Sequence, residues 1–374
     1  MHGLNMENDS DRHFMQRALR EARRGVGRTS PNPAVGAVIV RDGQIVGKGF
    51  HKKAGTPHAE IHALREAGEK AYGATAYVTL EPCNHTGRTP PCTHALLAAG
   101  VSRVVAGMLD PNPKVNGSGM AFLASHGIAT RTGVMEEECR AINYPFIKFI
   151  TTGLPWIVMK AGMSLDGKLN YQSDTSGWMT GVETRKRVHQ LRNQYDAILV
   201  GRKTVEIDNP ELNVRYCLNG RDPVRVVLDS QLSVPLQAKF IRNASAAATI
   251  IFCAPAASPE KERLLVDAGV IVHRVESRQG GLNLKQVARR LTEHNVLSVL
   301  VEGGAAVHGS FLTEQLYDFA HLFYGSVIAG DKGNALLSGY SAASRDMAVR
   351  LTEQHSMRLG EDFEITGRVH YPMR

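Results

Sequence analysis

Apolar residues in the first 150 positions alternate between short continuous runs and stretches with helical spacing. Residues 34–40 and 75–80 are apolar runs of strand length, and the spacing over 59–71 predicts a helix between them. Asp42-Gly43 predicts a tight turn before a returning strand at 45–50. The other predicted elements are helices at 11–24, 93–99, 120–125 and 136–143 and strands at 103–109 and 128–132. Strands separated by helices predict a mostly parallel sheet covered on both faces.

A short polar segment ending in proline, Thr151 to Pro155, predicts a boundary between a domain at 1–150 and a second at 151–374. Strand and helix patterns alternate again beyond it. Strands are predicted at 156–160, 197–200, 224–228, 249–252, 270–273, 296–301 and 319–326, and helices at 183–195, 259–268 and 284–293. The fold class predicted for the chain is therefore α/β in both halves.

Composition narrows the function only in part. A chain of 374 residues suits two domains, and 43% hydrophobic with 21% charged residues is ordinary for a globular protein. Five scattered cysteines, no secretory signal and no apolar span predict a cytoplasmic protein without a membrane partner. A net charge of +8 is compatible with binding to a nucleic acid, with binding of a phosphorylated small substrate, or with no role beyond solubility. The absence of a Lys/Arg block argues against nucleic acid.

The strongest chemical signal is His58-Ala59-Glu60 followed by Pro82-Cys83 and Pro91-Cys92. One imidazole and two thiolates leave a fourth tetrahedral position for water, as in a catalytic zinc site. Zinc lowers the pKa of bound water toward neutrality, so hydroxide is available as nucleophile. Glu60, two residues past the ligand His58, is placed to shuttle a proton, which is the arrangement of zinc deaminases.

Each part of this signal has an ordinary explanation. A lone His followed by Glu is usually a helix start, and two cysteines are often unrelated buried thiols. Eight residues separate Cys83 from Cys92, where the deaminase signature has two. The combination, with proline before both cysteines, still favours a deaminase. We also hypothesise that Asn32 reaches the edge of the pyrimidine beside the zinc.

The motifs together resemble the family of bifunctional riboflavin-biosynthesis deaminase/reductases, and the long insert between the cysteines matches that family. The motifs are residues 30–36 (SPNPAVG), 58–60 (HAE), 80–92 (LEPCNHTGRTPPC), 160–168 (KAGMSLDGK), 208–215 (DNPELNVR) and 301–304 (VEGG). The resemblance implies a cytidine-deaminase-like α/β/α domain followed by a dihydrofolate-reductase-like α/β domain. It also implies zinc, NADPH, a phosphoribosylamino-pyrimidine substrate and a homo-oligomer.

The resemblance carries reductase roles over to twelve residues. Those expected at NADPH are Gly162, Trp178, Thr204, Asp208, Ser230, Gly303 and Gly304. Those expected at substrate are Ser176, Arg192, Leu212, Arg215 and Glu302. Arg192 and Arg215 are hypothesised to hold the substrate phosphate bidentately. The sequence departs from the family at Asp208-Asn209, where two aspartates are commoner, and has no G-x-G-x-x-G motif for a Rossmann site.

Three alternatives remain open from the residues alone. A nucleic-acid deaminase with a recognition domain predicts salt-sensitive binding of RNA or DNA. A regulatory protein with an inactive deaminase fold predicts a missing ligand, yet His58, Glu60, Cys83 and Cys92 are all present. A deaminase whose second half has lost reduction is the third.

Overall fold

Two separate sheets organise the chain. The structure is a computed structural model that describes residues 2–85, 90–112, 115–244, 247–278 and 281–372. The residues fall into two units, Met1–Gly153 and Leu154–Arg374, and the division lies within the polar segment ending at Pro155. Among the described residues, no helix combines the length and apolar character needed to cross a membrane.

The first unit contains a five-stranded sheet in the order β2-β1-β3-β4-β5. Its strands are β1 (Gly36–Arg41), β2 (Gln44–Phe50), β3 (Thr75–Val78), β4 (Arg103–Ala106) and β5 (Ala129–Arg131). Its helices are α1 (His2–Arg23), α2 (Ala59–Ala67), α3 (Cys92–Ala98), α4 (Ser118–Ser125), α5 (Glu136–Ala141) and α6 (Tyr144–Thr152), with a 3-10 turn at Gly68–Ala71.

The prediction of a mostly parallel sheet is wrong for two of the four strand pairs in this sheet. β1 is antiparallel to both β2 and β3, whereas β3, β4 and β5 are parallel. The predicted tight turn at Asp42 and Gly43, with φ angles of 51° and 73°, makes β2 antiparallel to β1, and β1 in turn lies antiparallel to β3. Helix α6 was not predicted, because the polar segment at 151–155 was taken as the end of the domain.

The second unit is built on a nine-stranded sheet in the order β10-β9-β8-β7-β13-β6-β14-β16-β15. Its strands are β6 (Trp156–Met163), β7 (Ala197–Gly201), β8 (Val224–Leu228), β9 (Thr249–Cys253), β10 (Ile271–Arg274), β13 (Ser298–Gly303), β14 (Phe319–Tyr324), β15 (Arg350–Leu359) and β16 (Asp362–His370), with a small ribbon of β11 (Ser277–Arg278) and β12 (Gly281–Leu282). Its helices are α7 (Val182–Gln194), α8 (Arg202–Asp208), α9 (Lys239–Arg242), α10 (Pro259–Asp267), α11 (Leu284–Glu293) and α12 (Ala305–Thr313).

This larger sheet is parallel from β10 to β14 and is covered on both faces, as predicted for an α/β domain. Alternate residues of its central strands enter two different cores. Leu199 and Val226 pack into one core, and Ile198 and Val227 into the other. Parallel strands buried on both faces read as continuous apolar runs, which is why the sequence predicted them well.

Candidate metal centre and ligand cleft

The three predicted zinc ligands converge in the first unit. His58 immediately precedes α2, Cys83 follows β3, and Cys92 is the first residue of α3. The ligand atoms of all three lie within 4.8 Å of one another, and His58 Nδ1 is 3.5 Å from Cys83 Sγ and 3.3 Å from Cys92 Sγ. Tetrahedral zinc with bonds of about 2.0–2.3 Å separates its ligands by about 3.5 Å. The residues therefore fit zinc.

The two thiols differ in their protonation before a metal binds. The Cys92 thiol and its backbone N–H both point at Cys83 Sγ, with 3.4 Å between the backbone nitrogen and the sulfur. The hydrogen bond from the Cys92 thiol lowers the pKa of Cys83 to about 4, and the same bond with burial raises the pKa of Cys92. The lowered pKa of Cys83 favours its thiolate, the form in which a cysteine binds a metal.

Glu60 lies beside these ligands in the first turn of α2 and is buried. Burial raises the pKa of the Glu60 carboxyl, while the nearby His58 acts in the opposite direction. A carboxyl whose pKa is shifted toward neutrality both accepts and releases a proton readily. The location of Glu60 fits the predicted proton shuttle.

Asn32 is held at this centre by a hydrogen bond to His51, a contact that the sequence did not indicate. His51 is buried, and its ring packs edge-on against His58 with 5.3 Å between centroids. His51 Nδ1 donates to the carbonyl of Pro57 at 3.3 Å, so Nε2 accepts the Asn32 amide N–H at 3.1 Å. The amide oxygen of Asn32 is left as the group that a substrate N–H could meet.

Glu81 fixes the backbone of a segment that packs against the residue before Cys83, and the sequence did not indicate this role. Its carboxylate is buried and accepts backbone N–H bonds from Asp110, Gly117 and Gly119 at 2.8 to 3.0 Å, and from Met120 at 3.4 Å. A Cβ added to Gly119 would meet the carbonyl oxygen of Pro82 at 2.1 Å. Glycine is thus required for this segment to pack against the residue before Cys83. Residues 86–89 of the long insert lie outside the described residues.

The second unit contains a cleft of about 850 Å³. All twelve residues to which reductase roles were assigned line it. They are Gly162, Ser176, Trp178, Arg192, Thr204, Asp208, Leu212, Arg215, Ser230, Glu302, Gly303 and Gly304. Seven of the twelve lie in three of the quoted motifs, 160–168, 208–215 and 301–304, which are far apart along the chain and are brought to one place by the parallel sheet.

Glu302, at the end of β13, is the centre of a buried ion cluster in the cleft. Its carboxylate oxygens accept hydrogen bonds from Arg192 Nε at 2.7 Å and from Arg192 Nη2 at 2.8 Å. The Lys160 Nζ atom lies 3.6 Å from Glu302 Oε2. Burial opposes ionisation, yet Arg192 and Lys160 lower the pKa of Glu302 to about 2. Lys160 belongs to a sequence motif but was not predicted as a site residue. Because Glu302 occupies the guanidinium fork, Arg192 is not placed for a bidentate phosphate contact.

The glycine turn after β13 offers a place for a phosphate. Gly304 has φ 80°, a conformation that favours glycine, and directly precedes α12, whose first N–H groups have no partner within the helix. Arg202, Lys203 and Lys239 also line the cleft. Backbone N–H groups at a helix start together with cations suit a phosphorylated cofactor. The residues present therefore fit NADPH.

Trp178 and Ser176 lie on the exposed rim of the cleft. The Trp178 side chain is 58% exposed, and the Arg185 guanidinium lies 5.3 Å from its ring centroid. A large exposed ring beside a cation at the mouth of a cleft is suited to contact a flat, anionic ligand.

Comparison with known proteins gives a match in each unit. Residues 8–108 match the family model described as the cytidine and deoxycytidylate deaminase zinc-binding region. Residues 155–365 match the model described as the RibD C-terminal domain. These matches confirm the predicted fold class, a cytidine-deaminase-like domain followed by an α/β reductase domain.

Similarity to individual proteins extends over nearly the whole chain. The riboflavin biosynthesis protein RibD of Aquifex aeolicus is 42% identical over 96% of this chain and 99% of its own length. The solved structure of Acinetobacter baumannii RibD superposes with a TM-score of 0.86 at 36% identity, over 97% of this chain and 99% of that one. A diaminohydroxyphosphoribosylaminopyrimidine deaminase/5-amino-6-(5-phosphoribosylamino)uracil reductase from Thermotoga maritima gives a TM-score of 0.85 at 36% identity, over 97% and 99%.

Proposed function

Because the chain belongs to the RibD family of bifunctional riboflavin-biosynthesis deaminase/reductases, we propose that it converts 2,5-diamino-6-(5-phosphoribosylamino)pyrimidin-4-one in two successive steps. The first is hydrolytic deamination in the domain at 1–150, and the second is NADPH-dependent reduction in the domain at 151–374. The observation that carries the proposal is the convergence of His58, Cys83 and Cys92 beside the buried carboxyl of Glu60.

In the deamination, zinc bound by His58, Cys83 and Cys92 would supply water activated for attack at neutral pH. Glu60 takes the proton from this water and transfers it to the ring nitrogen next to the carbon that carries the 2-amino group. The oxygen of this water bonds to that carbon, and Glu60 then moves the remaining proton of the oxygen to the amino group. The carbon–nitrogen bond breaks, a carbonyl forms at the carbon and ammonia leaves. The Asn32 amide, fixed by His51, orients the pyrimidine edge.

In the reduction, NADPH would supply a hydride to C1′ of the ribose. The bond from C1′ to the ring oxygen breaks, that oxygen gains a proton, and a ribityl chain results. Gly162, Thr204, Asp208, Ser230, Gly303 and Gly304 line the cofactor part of the cleft, with Trp178 at its rim. Ser176, Leu212 and the Arg192–Glu302 pair contact the ribosyl-pyrimidine, and Arg215 binds its phosphate.

Arg215 is the better phosphate ligand of the two arginines predicted for this role. Its side chain is 49% exposed and pairs with Glu211 at 3.2 Å, whereas the Arg192 side chain is 11% exposed and paired with Glu302. Arg215 would give up one exposed ion pair when it turns to a phosphate, whereas Arg192 would have to break a buried two-point pair.

The proposal extends to the setting of the enzyme. The five cysteines, all in described parts of the chain, are free thiols, which supports a reducing, cytoplasmic location. We propose that the enzyme works as a homo-oligomer, acts on a small molecule, and needs neither nucleic acid nor a membrane.

A product-mass assay tests the proposal directly. The purified protein would receive the diaminopyrimidine phosphoribosyl substrate with and without NADPH. Ammonia loss without NADPH, and a gain of two hydrogens only with it, are expected. Ammonia loss alone would remove the reduction from the proposal. No change with zinc bound would overturn the substrate assignment, and RNA would be tested next.

A further inference from the structure

His189 lies behind the wall of the reductase cleft and contacts the residue proposed to bind phosphate. It is on α7 and is 2% exposed. His189 Nδ1 accepts the backbone N–H of Arg215 at 2.8 Å, and the ring of Tyr216 packs edge-on against the imidazole with 5.2 Å between centroids. His189 therefore contacts the backbone of Arg215.

The loop that carries Arg215 needs such external support, because its own backbone is strained. Leu212 and Tyr216, on either side of the Asn213–Arg215 stretch, have φ angles of 51° and 59°. Branched and aromatic residues rarely adopt this left-handed conformation, and it persists only where the surroundings hold it. A short segment between two such residues is not fixed by regular secondary structure.

Among the described residues, three hydrogen bonds from other parts of the chain hold the backbone of this segment, and two of them come from α7. Arg192 Nη1 donates to the Asn213 carbonyl at 3.2 Å, the Asp222 carboxylate accepts the Val214 N–H at 2.7 Å, and His189 accepts the Arg215 N–H. His189 and Arg192 are three residues apart, so they lie on the same face of the helix. Helix α7 thus forms hydrogen bonds to the backbone of the loop at two residues, Asn213 and Arg215.

We infer that His189 is a positioning residue for reduction: it fixes the backbone of Arg215, so that the Arg215 guanidinium is presented to the phosphate of the substrate. This inference rests on the proposed function, and it goes beyond it by naming the group that sets the position of the phosphate ligand. His189 itself is not among the described residues that line the cleft, so we expect it to act on substrate binding only through Arg215.

The imidazole is suited to this task because it stays neutral. Burial lowers the pKa of His189 to about 4, and the charges of Arg192 and Arg215 act in the same direction. Neutral imidazole with its proton on Nε2 leaves Nδ1 as an acceptor for the Arg215 N–H.

Two variants separate the acceptor from the bulk of the side chain. His189→Asn places an amide oxygen close to the position of Nδ1, and His189→Leu removes the acceptor. With the deaminated phosphorylated substrate and saturating NADPH, we expect His189→Leu to raise KM roughly tenfold, as for a lost buried hydrogen bond, with kcat within about twofold. His189→Asn should keep KM within about threefold.

The same substrate without its phosphate distinguishes positioning from general damage. If His189 acts through Arg215, His189→Leu should leave KM for the dephosphorylated substrate unchanged, and Arg215→Ala should behave in the same way. Deamination by each variant, measured as ammonia release, serves as the internal control for folding and should be unchanged.

The outcomes separate this inference from the proposed function. If Arg215→Ala raises KM for the phosphorylated substrate but His189→Leu does not, the positioning role is overturned and the proposed function stands. Equal losses with both substrates, or no rescue by His189→Asn, also overturn it. No effect of Arg215→Ala removes the phosphate role of Arg215 and the inference with it. No reduction by the unaltered protein overturns the proposed reductase function and this inference together.

Discussion

Arg192 and Glu302 form a two-point ion pair across 110 residues of chain, with Nε to Oε1 at 2.7 Å and Nη2 to Oε2 at 2.8 Å. The pair joins helix α7 to the end of strand β13 at the wall of the cleft. Charge-assisted pairs of this geometry are both strong and directional. It follows that α7 and the glycine turn after β13 keep a fixed separation while ligands bind.

Glu302→Gln should destabilise the second unit and abolish reduction. The substitution leaves Arg192 and Lys160 buried without their counter-charge, which costs roughly 3–5 kcal/mol when one partner of a buried pair is removed. Thermal unfolding and both activities would be measured, with Glu293→Gln on the exposed surface as the matched control. A Glu302→Gln protein with normal stability and full reduction would contradict this expectation.

The same carboxyl predicts a loss of stability in acid. The pKa of Glu302 is about 2 when folded and near 4.5 when unfolded, so its contribution of roughly 3 kcal/mol is complete above pH 4.5 and is lost as the pH falls toward 2. Denaturant unfolding between pH 5 and pH 2.5 would reveal this slope, and Glu302→Gln should flatten it. Parallel curves for the two proteins would show that Glu302 does not cause the loss.

Cys83→Ser should lose zinc and deamination while it retains reduction of pre-deaminated substrate. A serine oxygen is a much poorer zinc ligand than a thiolate, and the reductase cleft is lined by residues of the second unit. Zinc content by elemental analysis and both activities would be measured, with Cys217→Ser as the control that keeps the metal. Loss of both activities in a folded, zinc-free variant would instead show that the two sites are coupled.

Glu60→Gln should keep zinc and lose deamination by about 10²–10⁴-fold, the usual contribution of a general acid–base group. The amide preserves the shape of the buried side chain but cannot carry the proton. Ammonia release under single-turnover conditions and the zinc content would be compared with those of Glu66→Gln, which lies on the same helix outside the site. Deamination at the normal rate would exclude Glu60 as the proton shuttle.

Asn32→Ala should weaken binding of the deaminase substrate, with KM raised about tenfold for one lost hydrogen bond, and leave the zinc content unchanged. The structure ties this residue to His51, so His51→Gln, which keeps an acceptor near the Nε2 position, should be milder than His51→Leu. Steady-state rates of ammonia release would give KM and kcat for each variant. Unaltered kinetics for Asn32→Ala would remove the proposed contact with the pyrimidine.

The sequence predicted those features that depend on local pattern. Parallel strands such as Val224–Leu228 are continuous apolar runs, and helix α11 was predicted with its observed bounds, Leu284–Glu293. Strand β15 was missed because most of its residues are exposed, so it has no apolar run to signal it. Helix α12, which follows the two glycines expected to contact the cofactor, was not among the predicted helices.

The residues of the candidate sites also differ in how far the sequence could predict them. His58, Cys83 and Cys92, which the structure brings together, lie in short motifs that the sequence shows directly. Of the twelve residues given reductase roles, seven lie in such motifs, and the other five were assigned from the family resemblance alone. The partners of those residues could not be predicted, since the pairing of Arg192 with Glu302, and of His189 with the Arg215 backbone, depends on segments brought together only by the fold. No spacing in the sequence signals such a contact.

The carboxylate of Glu81 has a consequence for how natural variants of this chain should be judged. Substitution matrices score an exchange of Glu for Gln as mild, because the two side chains have almost the same shape. At Glu81 the amide would turn an NH₂ group toward the backbone N–H groups of the 110–120 segment, donor against donor. This apparently conservative exchange should therefore lower the stability of the first unit, although the side chain keeps its shape.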